Sequence, residues 1–229
     1  MRNMIFCLLV VCGIFGTCWD LAIAQTPTPT PTIIPTPAID CSCLASGRVT
    51  NAITGEGIAD AIVVGGDASY ASGDGSYIWA SNEFPCESSS THILTASAEN
   101  YITQIKIAYT EPCVEQTLNF SLIPSSAPLS IQTFAGDRET SEFPYQKTSS
   151  GIVITAKVKI NGERSVDDGI LVTATVRKAG KRYISIINPY ALTTNGGTSF
   201  AITSKDLSGK ARVVLKTGNT KKVITVLVE

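Results

Sequence analysis

The chain has 229 residues, is 44% hydrophobic, and sets 18 Lys and Arg against 19 Asp and Glu, for a net charge of −1. That length suits one large or two small globular domains, and a near-neutral exported chain is not expected to bind nucleic acid. After the N-terminal leader no stretch is long and apolar enough for a transmembrane helix, so none is expected once the leader is removed.

Residues 1–24 read as a signal peptide. Arg2 supplies the positive start, residues 4–15 form the apolar stretch, and Ala22-Ile23-Ala24 is a small-x-small site that predicts cleavage before Gln25. An uncleaved anchor is the alternative. Acylation at Cys12 or Cys18 is a third reading, against which stand Val11 and Thr17 where a smaller residue is wanted. Residues 25–40 are a Thr/Pro-rich linker. Each proline fixes φ and restricts the residue before it, so the segment favours polyproline II and reaches on the order of 40 Å. It reads as a tether, and its threonines are compositional candidates for O-linked sugars. Together these segments predict a secreted, periplasmic or cell-surface protein.

The remaining charge is split. From Cys41 to Pro124 only Arg48 and Lys106 face nine carboxylates, a balance of −7, whereas from Ser125 to Glu229 there are 15 Lys and Arg against 8 Asp and Glu, a balance of +7. The asymmetry marks two domains, 41–124 and 127–229. It either draws them together or reflects two solvated surfaces, and the second reading is the plainer one. The content is rich in Val, Ile, Thr, Ser and Gly, without convincing helical periodicity. The fold class is therefore all-β, two antiparallel β-sandwich domains after the signal peptide and linker.

In the first domain, Cys41, Cys43, Cys86 and Cys113 survive removal of the leader. An even count in an exported chain predicts two disulfides, and four cysteines allow three connectivities. Cys41 and Cys43 share a face of an extended strand and would strain to pair with each other, so each is expected to pair with Cys86 or Cys113. A metal site is disfavoured, because His92 is the only histidine. Strands are predicted at 44–51, 58–64, 69–71, 76–80, 93–98, 102–108 and 114–122. Ser72-Gly73-Asp74-Gly75 reads as a hairpin turn needing positive φ. Asp67 and Asp74 could be calcium ligands, but this turn needs Asp-Gly anyway. Trp79 shares a strand face with Tyr77 and is expected in the core rather than as a sugar platform.

Gly47-Arg48-Val49, Thr54-Gly55-Glu56-Gly57-Ile58, Ala61-Ile62-Val63, Gly73-Asp74-Gly75-Ser76-Tyr77, Leu94 to Ala98 and Leu118-Asn119-Phe120-Ser121-Leu122 resemble the motifs of carboxypeptidase regulatory-like domains. Asn100-Tyr101 stands where that family usually has Gly-Tyr. The resemblance implies a transthyretin-like β-sandwich, an accessory module with no catalytic residues to transfer.

In the second domain, Ile152, Ile154, Ala156, Val158 and Ile160 alternate with polar residues and Val153, predicting a half-buried strand. Ile170, Val172, Ala174 and Val176 predict another. Further strands are expected at 183–187, 198–203, 210–215 and 223–228, seven or so in all. Leu192-Thr193-Thr194-Asn195-Gly196-Gly197, Phe200-Ala201-Ile202-Thr203, Ser208-Gly209-Lys210-Ala211 and Val172 to Val176 resemble bacterial immunoglobulin-like repeats of the invasin and intimin type, which implies a rod or spacer module. Lys147, Lys181 and Arg182 could meet an anionic polymer, although a solvated face explains them as well.

No catalytic motif is present, His92 lies in an apparent strand beside no nucleophile motif, and no cofactor is expected. The functional expectation is an exported non-catalytic structural or adhesive module acting through contacts with an unidentified protein. The alternatives are a carbohydrate-binding protein using Tyr70, Tyr101 or Tyr145, and a hydrolase with an unrecognised acid pair.

Overall fold

The computed structural model describes residues 43–81, 88–146 and 151–229. The leader, the linker, Cys41, Cys86 and Lys147 lie outside the described residues. Residues 39–229 form a unit by themselves, and within it two hydrophobic cores define a first and a second lobe.

The first lobe contains β1 (Leu44–Asn51), β2 (Ile62–Gly65), β3 (Asp67–Tyr70), β4 (Ser76–Ala80), β5 (Ser90–Ser97), β6 (Tyr101–Ile102), β7 (Gln104–Thr110), β8 (Glu115–Thr117) and β9 (Phe120–Pro124). One sheet has the order β4-β1-β9-β6 with β8 also beside β1, and the facing sheet has the order β3-β2-β5-β7. Most pairs are antiparallel, but β8 and β9 both run parallel to β1.

The break between β8 and β9 has a local cause. A Cβ at Gly47 would stand 2.3 Å from the Leu118 carbonyl oxygen, so only glycine lets the backbones meet there. The Arg48 N–H then donates to the Asn119 side-chain oxygen at 2.9 Å, replacing the ladder bond lost at the break. The predicted strand at 114–122 is therefore two strands. The predicted strand at 102–108 also divides, because Tyr101–Ile102 pairs with β9 in one sheet and Gln104–Thr110 with β5 in the other. The strand expected at 58–64 is confined to β2, since Asp60 takes a φ of 58° just before it.

The Ser72 to Gly75 turn is tight, with Gly75 at a φ of 84°. It is not a hairpin, however. β3 pairs with β2 and β4 with β1, so the turn carries the chain from one sheet to the other.

The second lobe contains β10 (Leu129–Ala135), β11 (Arg138–Glu139), β12 (Glu142–Tyr145), β13 (Ile152–Ile160), β14 (Arg164–Ser165), β15 (Leu171–Val176), β16 (Ile184–Ile186), β17 (Tyr190–Leu192), β18 (Gly197–Ser204), β19 (Gly209–Thr217) and β20 (Thr220–Val228), with a 3₁₀ turn at Lys178–Gly180. Its sheets have the orders β11-β10-β13-β18-β16, with β14 beside β13, and β12-β20-β19-β15-β17. The alternating residues of β13 and β15 point inward as their patterns require: Ile154, Ala156, Val158 and Ile160 are buried, as are Ile170, Val172, Ala174 and Val176. β12 contains Pro144 and is an edge strand, parallel to β20.

Among the described residues the lobes meet through amides, backbone and aliphatic side chains, and through one guanidinium on a backbone carbonyl. Gln104 and Ile170 form an antiparallel bridge, and the Ile105 N–H donates to the Gly169 carbonyl at 2.9 Å. The fully buried Gln104 amide spans three segments. Its Nε2 donates to the Asp168 carbonyl at 2.6 Å, and its Oε1 accepts from the Ser121 N–H at 2.7 Å. Gly169 has a φ of 86°, and a Cβ there would fall 1.9 Å from the Ile105 carbonyl oxygen. Ile123 of β9 is part of the second core, with Ala52 and Ile102 packed against it, and the Arg164 guanidinium donates to the Ala52 carbonyl.

Candidate interaction surface

The outer face of the β3-β2-β5-β7 sheet follows from register. Val63, Leu94, Ala96 and Ala108 are buried on the inner side, so their neighbours point outward. Pairing sets Val64 beside Thr95 and Thr95 beside Ile105, Ile93 beside Ile107, Thr91 beside Tyr109, and Ile62 beside Tyr70. The result is a run of β-branched and aromatic side chains without a charge. Ile93 and Tyr109 are each 65% exposed and Tyr70 is 68% exposed. Lys106, the cation of β7, has the opposite register. Its ammonium donates to the Asn119 carbonyl at 2.7 Å and lies 5.8 Å from the Phe120 ring centre. A solvated sheet face ordinarily alternates toward polar side chains, and a contiguous exposed apolar patch is a mark of interaction.

The three tyrosines singled out by sequence are not brought together. Tyr70 is exposed at one edge of this face. Tyr101 is half-buried against the first core, and its hydroxyl accepts from Asn51 Nδ2 at 3.3 Å. Tyr145 is 2% exposed in the second core, and its hydroxyl accepts from the Ser204 N–H at 3.0 Å. Tyr145 therefore presents no ring to a ligand: β12 turns Phe143 and Tyr145 inward and Glu142 and Pro144 outward. Tyr109, not among the three, is the second exposed aromatic of the outer face. Its signal misleads, because Ile105, Ile107 and Tyr109 alternate with Gln104, Lys106 and Thr110, a pattern that would turn the tyrosine toward the core.

Trp79 and Tyr77 occupy the core as their shared strand face predicts. The Trp79 indole N–H donates to the Asp67 carbonyl at 3.2 Å, and the Tyr77 hydroxyl to the Leu118 carbonyl at 2.5 Å. Burial pushes the Tyr77 phenol above its ordinary pKa, so it remains a donor. Asp74 spends its carboxylate on its own turn: Oδ1 accepts from the Ser72 hydroxyl at 2.6 Å and the Ser76 N–H at 3.0 Å, and Oδ2 accepts from the Ser76 hydroxyl at 2.8 Å. These bonds, led by Ser72 and Ser76 and aided by Arg48, hold its pKa below the usual carboxylate range.

Ser90 Oγ and His92 Nε2 are 2.6 Å apart, a spacing compatible with a nucleophile and its base. Ser90 Oγ also lies 3.0 Å from Thr110 Oγ1, and the His92 ring tilts against Trp79 with centroids 5.1 Å apart. Among the described residues no carboxylate bonds to His92, so the group that would orient the base is missing there. Both side chains follow the inward register of β5, and the arrangement closes one end of the first core. Cys43, 1% exposed, lies 3.9 Å from Ser90 through its sulfur, while Cys113 is exposed at a φ of 62°.

No family model matches the chain, and no curated protein matches it. The resemblance of the first lobe to carboxypeptidase regulatory-like domains thus rests on its motifs alone. Among solved structures, domains 4 and 5 of the S-layer protein SbsC are 14% identical, with 61% of this chain and 65% of that one covered and a TM-score of 0.34. The adhesin InvE of Yersinia pseudotuberculosis is 13% identical, with 82% of this chain and 58% of that one covered and a TM-score of 0.37. The D00–D0 domain of intimin is 12% identical, with 80% and 96% covered and a TM-score of 0.32. The chain spans less than two thirds of the SbsC and InvE structures. Likeness at this level concerns the β-sandwich fold alone.

Proposed function

We propose that the chain is an exported, non-catalytic structural or adhesive module that acts through protein contacts at or outside the cell envelope. The uncharged outer face of the first lobe carries this reading. Leaving Ile93, Ile107 and Tyr109 in water forfeits the burial free energy of large apolar side chains, about 25 cal/mol per Å². A partner surface equally free of charge recovers it without desolvating an ion. The leader and Thr-Pro linker support export, and the cleavage before Gln25 and the boundaries 41–124 and 127–229 belong to the same proposal. So does the disulfide framework of Cys41, Cys43, Cys86 and Cys113, which is supported by an even cysteine count in a chain read as exported.

The test places charge on the face. Ile93→Lys with Ile107→Lys is expected to abolish capture of protein partners from native envelope or medium. Val153→Lys with Thr155→Lys, on the outer face of β13, is expected to leave it intact. Both variants are first checked for unchanged circular dichroism. Equal capture by both folded variants would remove the face from the function.

A further inference from the structure

We infer that the second lobe carries a binding groove for an anionic polysaccharide, on the seam between β15 and β16. This inference is independent of the protein-contact face. Lys181 and Lys205 reach the groove from two separate turns, and the hydroxyls of Thr175 and Ser185 line it between them. Its remaining wall is apolar, with Ile186 and Pro189 among the lining residues, and the groove holds about 320 Å³. No carboxylate lines it. Ammonium groups, hydroxyls and an apolar wall are the three surfaces that an acidic sugar chain requires. The charges meet carboxylate or sulfate, the hydroxyls meet ring hydroxyls, and the aliphatic wall meets the C–H face of the ring.

The groove is built rather than incidental. The turn bearing Lys181 can settle on β19 because residue 180 is glycine: a Cβ there would stand 3.0 Å from Ala211 Cα. The Tyr183 N–H donates to the Gly180 carbonyl at 2.9 Å, and the Lys205 N–H donates to the Tyr183 carbonyl at 2.8 Å, so one short strand of hydrogen bonds sets both lysine-bearing segments. Ser185 Oγ is fixed 2.9 Å from Thr203 Oγ1. The Arg182 guanidinium lies 4.7 Å from the Tyr183 ring centre, over its own neighbour. Arg177 and Lys178 precede Lys181 in the same turn, which contains no acid, and Asp206 is the carboxylate next to Lys205 in sequence. Arg177, Lys178, Lys181 and Arg182 thus fall within six residues with no carboxylate among them, a local excess of positive charge that suits an anionic chain.

The experiment uses the leader-free chain at about 0.15 M ionic strength, where exposed charges are screened beyond roughly 8 Å. Polygalacturonate, dextran sulfate, neutral dextran and polyglutamate are the probes, read by biolayer interferometry. The wild type is expected to bind the two acidic polysaccharides and neither neutral dextran nor polyglutamate. Lys181→Ala with Lys205→Ala is expected to weaken that binding about tenfold. Lys157→Ala with Lys159→Ala removes the same charge from the outer region of β13 and is expected to weaken it less than twofold. Three results would overturn the assignment: no binding of either acidic polysaccharide, equal loss in both double variants, or polyglutamate bound as tightly as polygalacturonate. The last would mean that the groove reads charge without sugar.

Discussion

The first lobe fills its interior with Trp79, Tyr77 and Phe120 over Ala45, Ala61, Ala96 and Ala108. The second sets Phe143, Tyr145 and Phe200 among a larger number of branched aliphatics on long strands, β13, β19 and β20 among them. Large rings against small alanines leave the first core dependent on a few side chains, and its described strands are shorter. All four cysteines of residues 41–229 also fall in its stretch of the sequence. The second lobe has none, and its core must suffice alone. The difference teaches where each lobe is vulnerable: the first, with fewer core side chains, at single positions such as Trp79 and at its proposed cross-links, the second less so, because its larger core shares the load.

The sharpest way to break that comparison is Trp79→Ala. It removes the largest fully buried side chain, along with its bond to Asp67 and its contact with His92. A loss of about 3–5 kcal/mol is expected, read by urea denaturation, with the second lobe's near-ultraviolet signal melting later than the first. Reduction with dithiothreitol comes next. If the proposed disulfides staple the first lobe, its midpoint falls by about 2–4 kcal/mol while the second lobe is unchanged. Unaltered melting of both lobes would contradict the framework.

Gln104→Leu is expected to cost about 1–3 kcal/mol, because it orphans the Asp168 carbonyl and the Ser121 N–H across the junction. It should also weaken the coupling between the lobes, as faster hydrogen exchange where β7 meets the segment before β15 would show. The smallest effect belongs to Asp74. Its folded-state pKa lies below the ordinary 3.8, so the stability it lends is complete above that value and fades as pH falls toward its depressed one. Asp74→Asn is expected to flatten the acid limb of a thermal-melt series below pH 4 slightly.

Much of the strand content was legible, because inward residues such as Val49 or Val158 alternate with polar neighbours at period two. β13, β15 and the core places of Tyr77 and Trp79 follow from that alternation alone. What escaped was non-local. The pattern of β7 points the wrong way: Ile105, Ile107 and Tyr109 are its large apolar set yet face outward, while Gln104, Lys106, Ala108 and Thr110 take the inward register, and only packing against β5 decides. Pairing partners were equally hidden: Ser72 to Gly75 has hairpin residues, yet its flanking strands join different sheets. β10 and β12 were missed, the latter because Pro144 argues against a strand and is tolerated only at an edge. Gln104 carries no sequence signal of burial, because its role depends on a loop 64 residues away. The opposite charges of the lobes left either docking or two solvated surfaces open; the described junction is amide, backbone and aliphatic, with the Arg164 guanidinium on a backbone carbonyl.

The most direct test is site-specific photo-crosslinking on native envelope, with a benzophenone side chain at Tyr109 or, as a control, at Lys157. The proposed function predicts a discrete protein adduct from position 109, lost in the Ile93→Lys, Ile107→Lys background, and none from position 157. Adducts of equal yield at both positions, or none at 109 in a folded and exported chain, would contradict it.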